Sequence, residues 1–370
     1  MMDPEARART YHRLQLRLSL SSLGLGAAYL GALIATGAAG RLAQALAALT
    51  PWWWLQLAGA LLVLGGVFRL ATLPLAWLGG FWLPRRFGLL HQPFGQWLLD
   101  ATKAAGLGAA LGLGAAEIVY ALLRATPWWW LWSALAFLGL STLLTLVAPV
   151  WLVPLFHRLD PLSDPSLRDR LLRLGEKARV PVVGVWIADQ SRKSRTANAA
   201  VTGLGRTRRI IVFDTLLAEF PPDEIEAVLA HELGHHAHAD IWRGLLVQSA
   251  LTLLTFWIAD HALRAGARAL SLDGPADLAG LPLLALIVLG VSLVALPVGN
   301  GWSRRMERQA DDFALRVTGN PQAFISAMER LRALNLAERE PHPAKEFFLS
   351  SHPSIGRRVA RARMLLGSPG

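Results

Sequence analysis

Twelve residues, Leu229-Ala-His-Glu-Leu-Gly-His-His-Ala-His-Ala-Asp240, hold four histidines and two acids and run straight into an apolar stretch, residues 241–259. Within them His231, Glu232 and His235 follow the pattern His-Glu-x-x-His. On a helix, at about 100° per residue, His231 and His235 fall roughly 40° apart and one turn along, so both imidazoles reach one ion. Glu232 stands about 100° from His231, close enough to polarise a metal-bound water without being a ligand. A catalytic zinc site of this kind needs a third protein donor, and the chain has no cysteine to supply one. Downstream, the stretch 303–312 offers Glu307 as that ligand. Asp311, one turn later on the same face, can accept the second ring N–H of a ligating histidine and fix its tautomer.

The neighbouring histidines carry plainer expectations. His236 points about 100° from His235 and is expected to face solvent, while His238 shares the face of His231 two turns along and is expected at the surface or behind the ligands. Asp240 is expected to cap a helix or pair with Arg243. Hydrolysis of an amide also needs a donor for the oxyanion, and all three tyrosines, Tyr11, Tyr29 and Tyr120, fall in the first third of the chain. His352, followed by Pro353, and Arg358 are therefore the candidate donors, ahead of the similar-looking His342-Pro343.

The elements that must carry these residues are largely apolar. Of 370 residues 53% are hydrophobic, and six runs reach the length of about 20 residues that a bilayer requires. They are Leu18–Gly40, Trp52–Leu83, Ala104–Leu123, Trp128–Leu152, Ile241–Leu263 and Leu278–Asn300. The second contains Arg69 and Pro74 and is expected to kink or partly re-enter. Gly108-Ala-Ala-Leu-Gly112 in the third suits close helix packing, or reflects plain Gly/Ala richness. Two Pro-Trp-Trp-Trp clusters, 51–54 and 127–130, read as interfacial belts. Residues 1–17 are too charged, and the apolar run after them too long, for a cleavable signal peptide.

Charge sorts the loops. Arg7, Arg9, Arg13, Arg17, Arg85, Arg86 and Lys103, with the arginine-rich segments 157–240 and beyond Ser303, put both termini and the histidine cluster on the cytoplasmic side. Arg264 and Arg268 are a mild exception, offset by Asp273 and Asp277. The net charge of +11 follows from this bias and from contact with anionic lipid; no aromatic-plus-basic motif accompanies it, so no nucleic-acid partner is expected. The absence of cysteine excludes disulfides, thiolate metal sites and a cysteine nucleophile. Arg69, Glu117 and Gln248, inside spans, either line a chamber or pair with neighbouring helices.

Two polar segments, about 155–240 and 303–370, must pack together as one lobe. Val182–Ile187, Asn198–Val201 and Arg209–Phe213 read as strands. Pro222 and Asp223 open a helix with Glu226 at the spacing of a capping box, and this helix is expected to run through the histidines into the fifth span. Ser303–Val317 and Pro321–Leu334 read as two further helices.

Taken together, the residues resemble the integral-membrane zinc metallopeptidases of the type I CAAX prenyl endopeptidase family. Arg86-Phe-Gly-Leu-Leu-His-Gln-Pro-Phe94, with Asp100 and Lys103, is similar to that family's loop before the third and fourth of these spans, and Asn198-Ala-Ala-Val-Thr-Gly203 to its Asn-Ala-x-x-x-Gly segment. His231, Glu232, His235, Glu307 and Asp311 fall on its zinc or catalytic positions, and His352-Pro353 with Arg358 on its His-Pro-x-x-x-x-Arg tail. The resemblance implies a helical membrane chamber closed by a catalytic lobe, with one Zn2+ and a substrate lying extended beside Asn198, Ala199 and Gly203. An edge strand that pairs with peptide backbone recognises main chain with little demand on sequence. Eukaryotic members have seven spans, and this chain shows six.

The expected fold is mainly α and polytopic: about six transmembrane helices with a cytoplasmic α+β gluzincin-like lobe. The expected division is 1–154, a four-helix membrane domain, and 155–370, a metallopeptidase domain carrying the last two spans. The expected function is zinc-dependent endoproteolysis at the cytoplasmic membrane, with Glu232 as base, on C-terminal CAAX-type or membrane-associated peptides, lipidated or not. The alternatives are broad quality-control proteolysis of membrane proteins and a catalytically silent scaffold. Four lysines against 33 arginines suggest a GC-rich, bacterial genome, where prenylated proteins are not the obvious targets.

Overall fold

The computed structural model describes residues 3–147, 151–203 and 205–367. Its first half is a set of long helices: α1 (Pro4–Thr36), α2 (Ala38–Leu49), α3 (Trp53–Trp77), α4 (Leu83–Arg86), α5 (Phe94–Ala125) and α6 (Trp129–Val147). The short α7 (Val153–Phe156) leads to a lobe that opens with β1 (Leu159–Pro161) and α8 (Pro165–Lys177). Strands β2 (Val185–Ala188), β3 (Ala199–Thr202) and β4 (Arg209–Phe213) follow, then α9 (Asp214–Glu219) and α10 (Pro222–Ala237). The chain returns to long helices in α11 (Asp240–Ala269) and α12 (Leu281–Thr318), and ends in the lobe with α13 (Pro321–Asn335), α14 (Pro343–Leu349) and α15 (Ile355–Gly367).

Six helical segments among the described residues are long and apolar enough to cross a membrane. This matches the number read from sequence and makes the chain a multi-pass membrane protein. Three details differ. The first apolar run is cut at Gly37, whose φ of 65° ends α1 and starts α2 as a separate helix. The second span does not re-enter: Pro74 sits inside a continuous helix that loosens into a π turn at Leu78–Trp82 and continues into α4. Ser303–Val317 is no separate helix, because nothing breaks the chain after the sixth span. α12 runs unbroken for 38 residues from the apolar segment into the lobe.

Polar groups inside the spans find specific partners. The second tryptophan cluster is only partly a belt, since Trp129 is buried and donates from Nε1 to Asp260 Oδ1 at 2.5 Å. Arg264 binds both oxygens of Asp260 and the Pro127 carbonyl, so its charge is met inside the helix pair. Gln248 donates to Thr252 at 3.2 Å and lines a cavity of about 480 Å³ between α6, α11 and α12. Glu117 is half-buried, and Arg69 is exposed with no carboxylate partner among the described residues.

The lobe's sheet has the order β1-β2-β4-β3, with β2 and β4 parallel and the other pairs antiparallel, which leaves β3 at an edge. β3 and β4 match the expected strands closely; β1, only three residues long, has no periodicity by which to be read. The core lies between this sheet and α8, α10 and α13, around Leu171, Leu174, Ile210, Leu229, Leu233 and Phe324. α10 is buried on nearly every side. It begins without the expected capping box: Pro222, whose fixed φ suits the first helical position, starts it, and Asp223 and Glu226 both turn to Arg170 on α8.

Helix α10 also fails to continue into the fifth span. Ala239 takes a left-handed conformation, φ 56°, and α11 starts afresh at Asp240. On its other face α10 packs against α12 at Gly234, where an added Cβ would lie 3.1 Å from Ala310 Cα and 3.2 Å from Phe313 Cδ1. Overfilling a packed contact costs about 1–3 kcal/mol. Gly234→Ala should therefore unfold at a clearly lower Tm than the natural protein in the same detergent, and an unchanged Tm would show that the two helices have room to spare.

Candidate metal centre

The close approach of α10 and α12 brings two imidazoles onto one carboxylate. His231 and His235, one turn apart, stand with ring centroids 4.9 Å apart and nearly perpendicular. His231 Nε2 lies 3.2 Å from Glu307 Oε2, and His235 Nε2 lies 3.5 Å from Glu307 Oε1. One ligand atom from each of the three residues falls within 4.8 Å of the others, and Glu307 is buried.

The back of each ring fixes its proton. His231 Nδ1 is 2.9 Å from Asp311 Oδ1, and His235 Nδ1 is 2.9 Å from Asp240 Oδ2. An ionised carboxylate only accepts, so both rings must donate from Nδ1 and turn their Nε2 lone pairs toward Glu307. Two lone pairs then face a carboxylate whose Oε2 is buried and accepts no hydrogen bond. Acceptors crowded in this way need a cation between them, either a proton on each ring or a metal ion. Two imidazoles and a carboxylate are a zinc-type donor set, so the residues fit the group.

The titration behaviour carries the same message. Burial by itself would lower the pKa of His235, but its contacts with Asp240 and Glu307 outweigh burial and push the ring up to about 10. His231 follows the same pattern: burial and Arg358 oppose its charge, and Asp311 and Glu307 prevail and raise it. Glu232, beside them on α10, is moved upward, first by burial and further by the negative Glu307, against the pull of both histidines.

Asp311 and Asp240 are themselves held. Arg358 reaches Asp311 from α15 through Nε and Nη2 at 2.9 and 2.6 Å. Its Nη2 also lies 3.3 Å from His231 Nδ1, a contact around the shared carboxylate, since that nitrogen's proton is already committed. Arg243 donates to the other oxygen of Asp240 at 2.7 Å. His352 arrives from the loop before α15, mostly exposed, with Nε2 3.1 Å from Glu307 Oε1 and Nδ1 2.8 Å from Ser351 Oγ.

Of the residues singled out in sequence, His231, His235, Glu307, Asp311, Arg358 and His352 meet in one cluster, with Glu232 beside it on α10. Arg358 is turned inward onto Asp311, where it braces the histidine rather than facing the open side. Ala199 lies on the edge strand β3, and Asn198 and Gly203 flank it directly. Asn198 is exposed, and its side chain bonds the Ala199 N–H at 2.9 Å. Gly203 has φ 88°, and a Cβ there would meet Thr207 O at 2.6 Å, so only glycine fits. His342 caps α14 and takes no part.

One expectation changes, and another is extended. His236 does not face solvent: Nε2 donates to Val201 O at 2.9 Å and Nδ1 accepts from Arg208 Nε at 3.2 Å, because the edge strand runs beside that face of α10. His238 packs edge-on against Phe313 at 5.5 Å. Asp240, read as a cap or an arginine partner, does pair with Arg243 but also orients His235. Five residues along an unbroken helix it would point about 140° away from His235, and only the turn at Ala239 brings it back. No sequence signal marks that turn.

With this geometry in hand, known proteins place the chain. A family model for peptidase family M48 matches residues 161–366, and one for the CAAX prenyl protease N-terminal region, five membrane helices, matches residues 3–158. In that second region four segments of this chain qualify as spans, with α2 as an additional helix. A Bacillus subtilis protein called uncharacterized metalloprotease YhfN is 29% identical over 342 residues, covering 91% of this chain and 80% of its own length. The CAAX prenyl protease 1 of Saccharomyces cerevisiae is 28% identical over 319 residues, covering 80% of this chain and 70% of itself. The crystal structure of S. mikatae Ste24p has the same fold, with a TM-score of 0.85 at 24% identity over 98% of this chain and 90% of that one. A family model that spans more than half of the residues, and includes every member of the cluster, settles the assignment: the chain belongs to peptidase family M48.

Proposed function

We propose that this protein is a zinc-dependent endopeptidase in which Glu232 moves the proton, acting on peptides held at the membrane surface. The observation that carries this reading is the pair of Nε2 lone pairs turned onto the Glu307 carboxylate, that of His231 toward its orphaned Oε2 and that of His235 toward Oε1. His231, His235 and Glu307 would hold the ion. A zinc ion bound by them supplies Lewis acidity, which activates water near neutral pH and polarises a carbonyl.

The chain's own residues supply the rest. The Glu232 carboxylate takes a proton from the attacking water; as the C–N bond breaks, it returns that proton to the leaving amine. Burial, which raises its pKa, makes Glu232 a better proton acceptor than an exposed carboxylate. His352, mostly exposed on the open side of Glu307, can donate to the oxyanion from Nε2. Arg358 acts through Asp311, and Arg243 through Asp240, each fixing one ligating ring.

Substrate backbone is expected along β3. Antiparallel pairing with β4 turns the main-chain groups of Ala199 and Val201 outward, and His236 already takes the Val201 carbonyl. An extended peptide adding itself at this edge would lie beside α10. The arginine-rich termini and loops support a cytoplasmic side for the lobe. CAAX-type C-terminal peptides, named for the relatives, and unmodified membrane-protein segments are both candidate substrates. Purified enzyme given a prenylated peptide and its unmodified twin distinguishes them: a rate ratio of about ten or more favours lipidated tails, and equal rates favour general proteolysis.

Two further outcomes follow from the site. Glu232→Gln should keep stoichiometric zinc by elemental analysis yet lose peptide cleavage by a factor of about 10²–10⁴, the usual contribution of a general base; normal cleavage would refute the mechanism. The raised His235 sets a proton stoichiometry. At pH 8 an ordinary imidazole, with a pKa near 6.5, is almost wholly neutral, whereas His235, at about 10, still holds its proton. Zinc must displace it, so titration calorimetry of metal-free protein in buffers of different ionisation enthalpy should give about one proton or more released per zinc at pH 8. The release should fall away as pH rises through 10, and a value near zero at pH 8 would contradict the coupling.

A further inference from the structure

The short helix α14 carries an apolar face that the site does not use. Phe347, Phe348 and Leu349 leave 54%, 51% and 47% of their surface uncovered, although they sit in the lobe and not in a span. The two phenyl rings stack edge to face on each other at 4.9 Å. Left in water, such a triad forfeits about 25 cal/mol for every Å² it could bury.

Its height is fixed by α12. Asn300 Nδ2 donates to Phe348 O at 2.8 Å, and Arg304 Nη1 donates to Glu346 O at 2.9 Å and to Ser350 O at 2.6 Å. These donors satisfy the last carbonyls of α14 and pin it where α12 changes character. Before that point Val294, Leu296 and Val298 are exposed, as lipid-facing residues are; after it come Arg304, Arg305 and Arg308. The triad is therefore held at the lipid–water boundary.

Other spans mark the same boundary with exposed aromatics at their lobe-side ends. Trp82 precedes Arg85 and Arg86, Phe94 opens α5, Trp151 follows α6 and Trp242 opens α11. Together they form the belt that aromatic rings make at membrane interfaces. Helix α12 contributes none of its own there, since Trp302 is half-buried with the Arg243 guanidinium over its ring at 5.6 Å. The α14 triad fills that gap in the belt.

We propose that Phe347, Phe348 and Leu349 form an interfacial anchor inserted into the lobe-side leaflet of the bilayer, with the neighbouring arginines facing anionic headgroups. Only Ser350 and Ser351 separate Leu349 from His352, whose Nε2 is 3.1 Å from Glu307 Oε1. The anchor thus ties the loop that carries His352 to the membrane surface and sets the depth at which the open side of the metal centre meets lipid. Insertion does not depend on the proteolytic reading and can be tested apart from it.

Because the chain has no cysteine, Phe348→Cys labelled with an environment-sensitive fluorophore reports this position alone, and Phe347→Cys repeats the measurement if the first variant folds poorly. The full chain is reconstituted into phosphatidylcholine–phosphatidylglycerol vesicles. The expected result is blue-shifted emission, severalfold quenching by lipids with a nitroxide high on the acyl chain, and little quenching by aqueous iodide. Glu176→Cys, exposed on α8, should behave in the opposite way. Water-like emission quenched by iodide would overturn the proposal. So would blue-shifted emission that neither quencher reaches, which would put the ring in an enclosed space suited to a substrate's own hydrocarbon tail.

Discussion

Two imidazole lone pairs and a carboxylate cannot share a few buried ångströms unless a cation lies between them, and the rest of the molecule is arranged to enforce that crowding. Asp311 and Asp240 take the Nδ1 protons of His231 and His235, which leaves no other orientation for the Nε2 atoms. Arg358 and Arg243 in turn neutralise those aspartates, so the buried charges behind the rings are paired and only the charge in front of them is open. A buried pair broken on one side costs several kcal/mol, and this is why the outer partners matter as much as the ligands.

Backbone features bring the groups together. Gly234 lets α10 lie against the main chain of α12 at Ala310, and the left-handed Ala239 folds Asp240 back onto His235. Helix α12 passes from the apolar spans to Glu307 and Asp311 without a break. At about 1.5 Å per residue Glu307 stands only about 10 Å beyond Asn300 along its axis. The candidate metal centre is thus membrane-proximal, where the proposed substrates, peptides held at the bilayer, would meet it.

The cluster of His231, His235 and Glu307 was legible because His-Glu-x-x-His has a fixed helical geometry and the lack of cysteine left few choices for a third candidate donor. Glu307 and Asp311 were readable for the same reason, one turn apart on one face. The spans were readable from length and hydropathy alone. What the sequence hid were departures from regular geometry: the break at Ala239, which carries no glycine or proline; the π turn after Pro74; and the fusion of the sixth span with the helix of Glu307. Contacts between elements distant in sequence were equally hidden. Nothing local says that His236 would meet the edge strand, that Glu226 would prefer Arg170 to its own helix terminus, or that Trp129 would leave its belt for Asp260. Each is decided by which surface packs alongside.

The central claim is that His231, His235 and Glu307 grip one ion with no sulfur donor. X-ray absorption at the zinc edge on the purified, zinc-loaded protein tests it most directly. The expected spectrum has two imidazole nitrogens and otherwise oxygen around the metal, reduced to a different, weaker coordination in Glu307→Ala. A site with fewer than two imidazoles, or one unchanged by loss of the Glu307 carboxylate, would contradict the account.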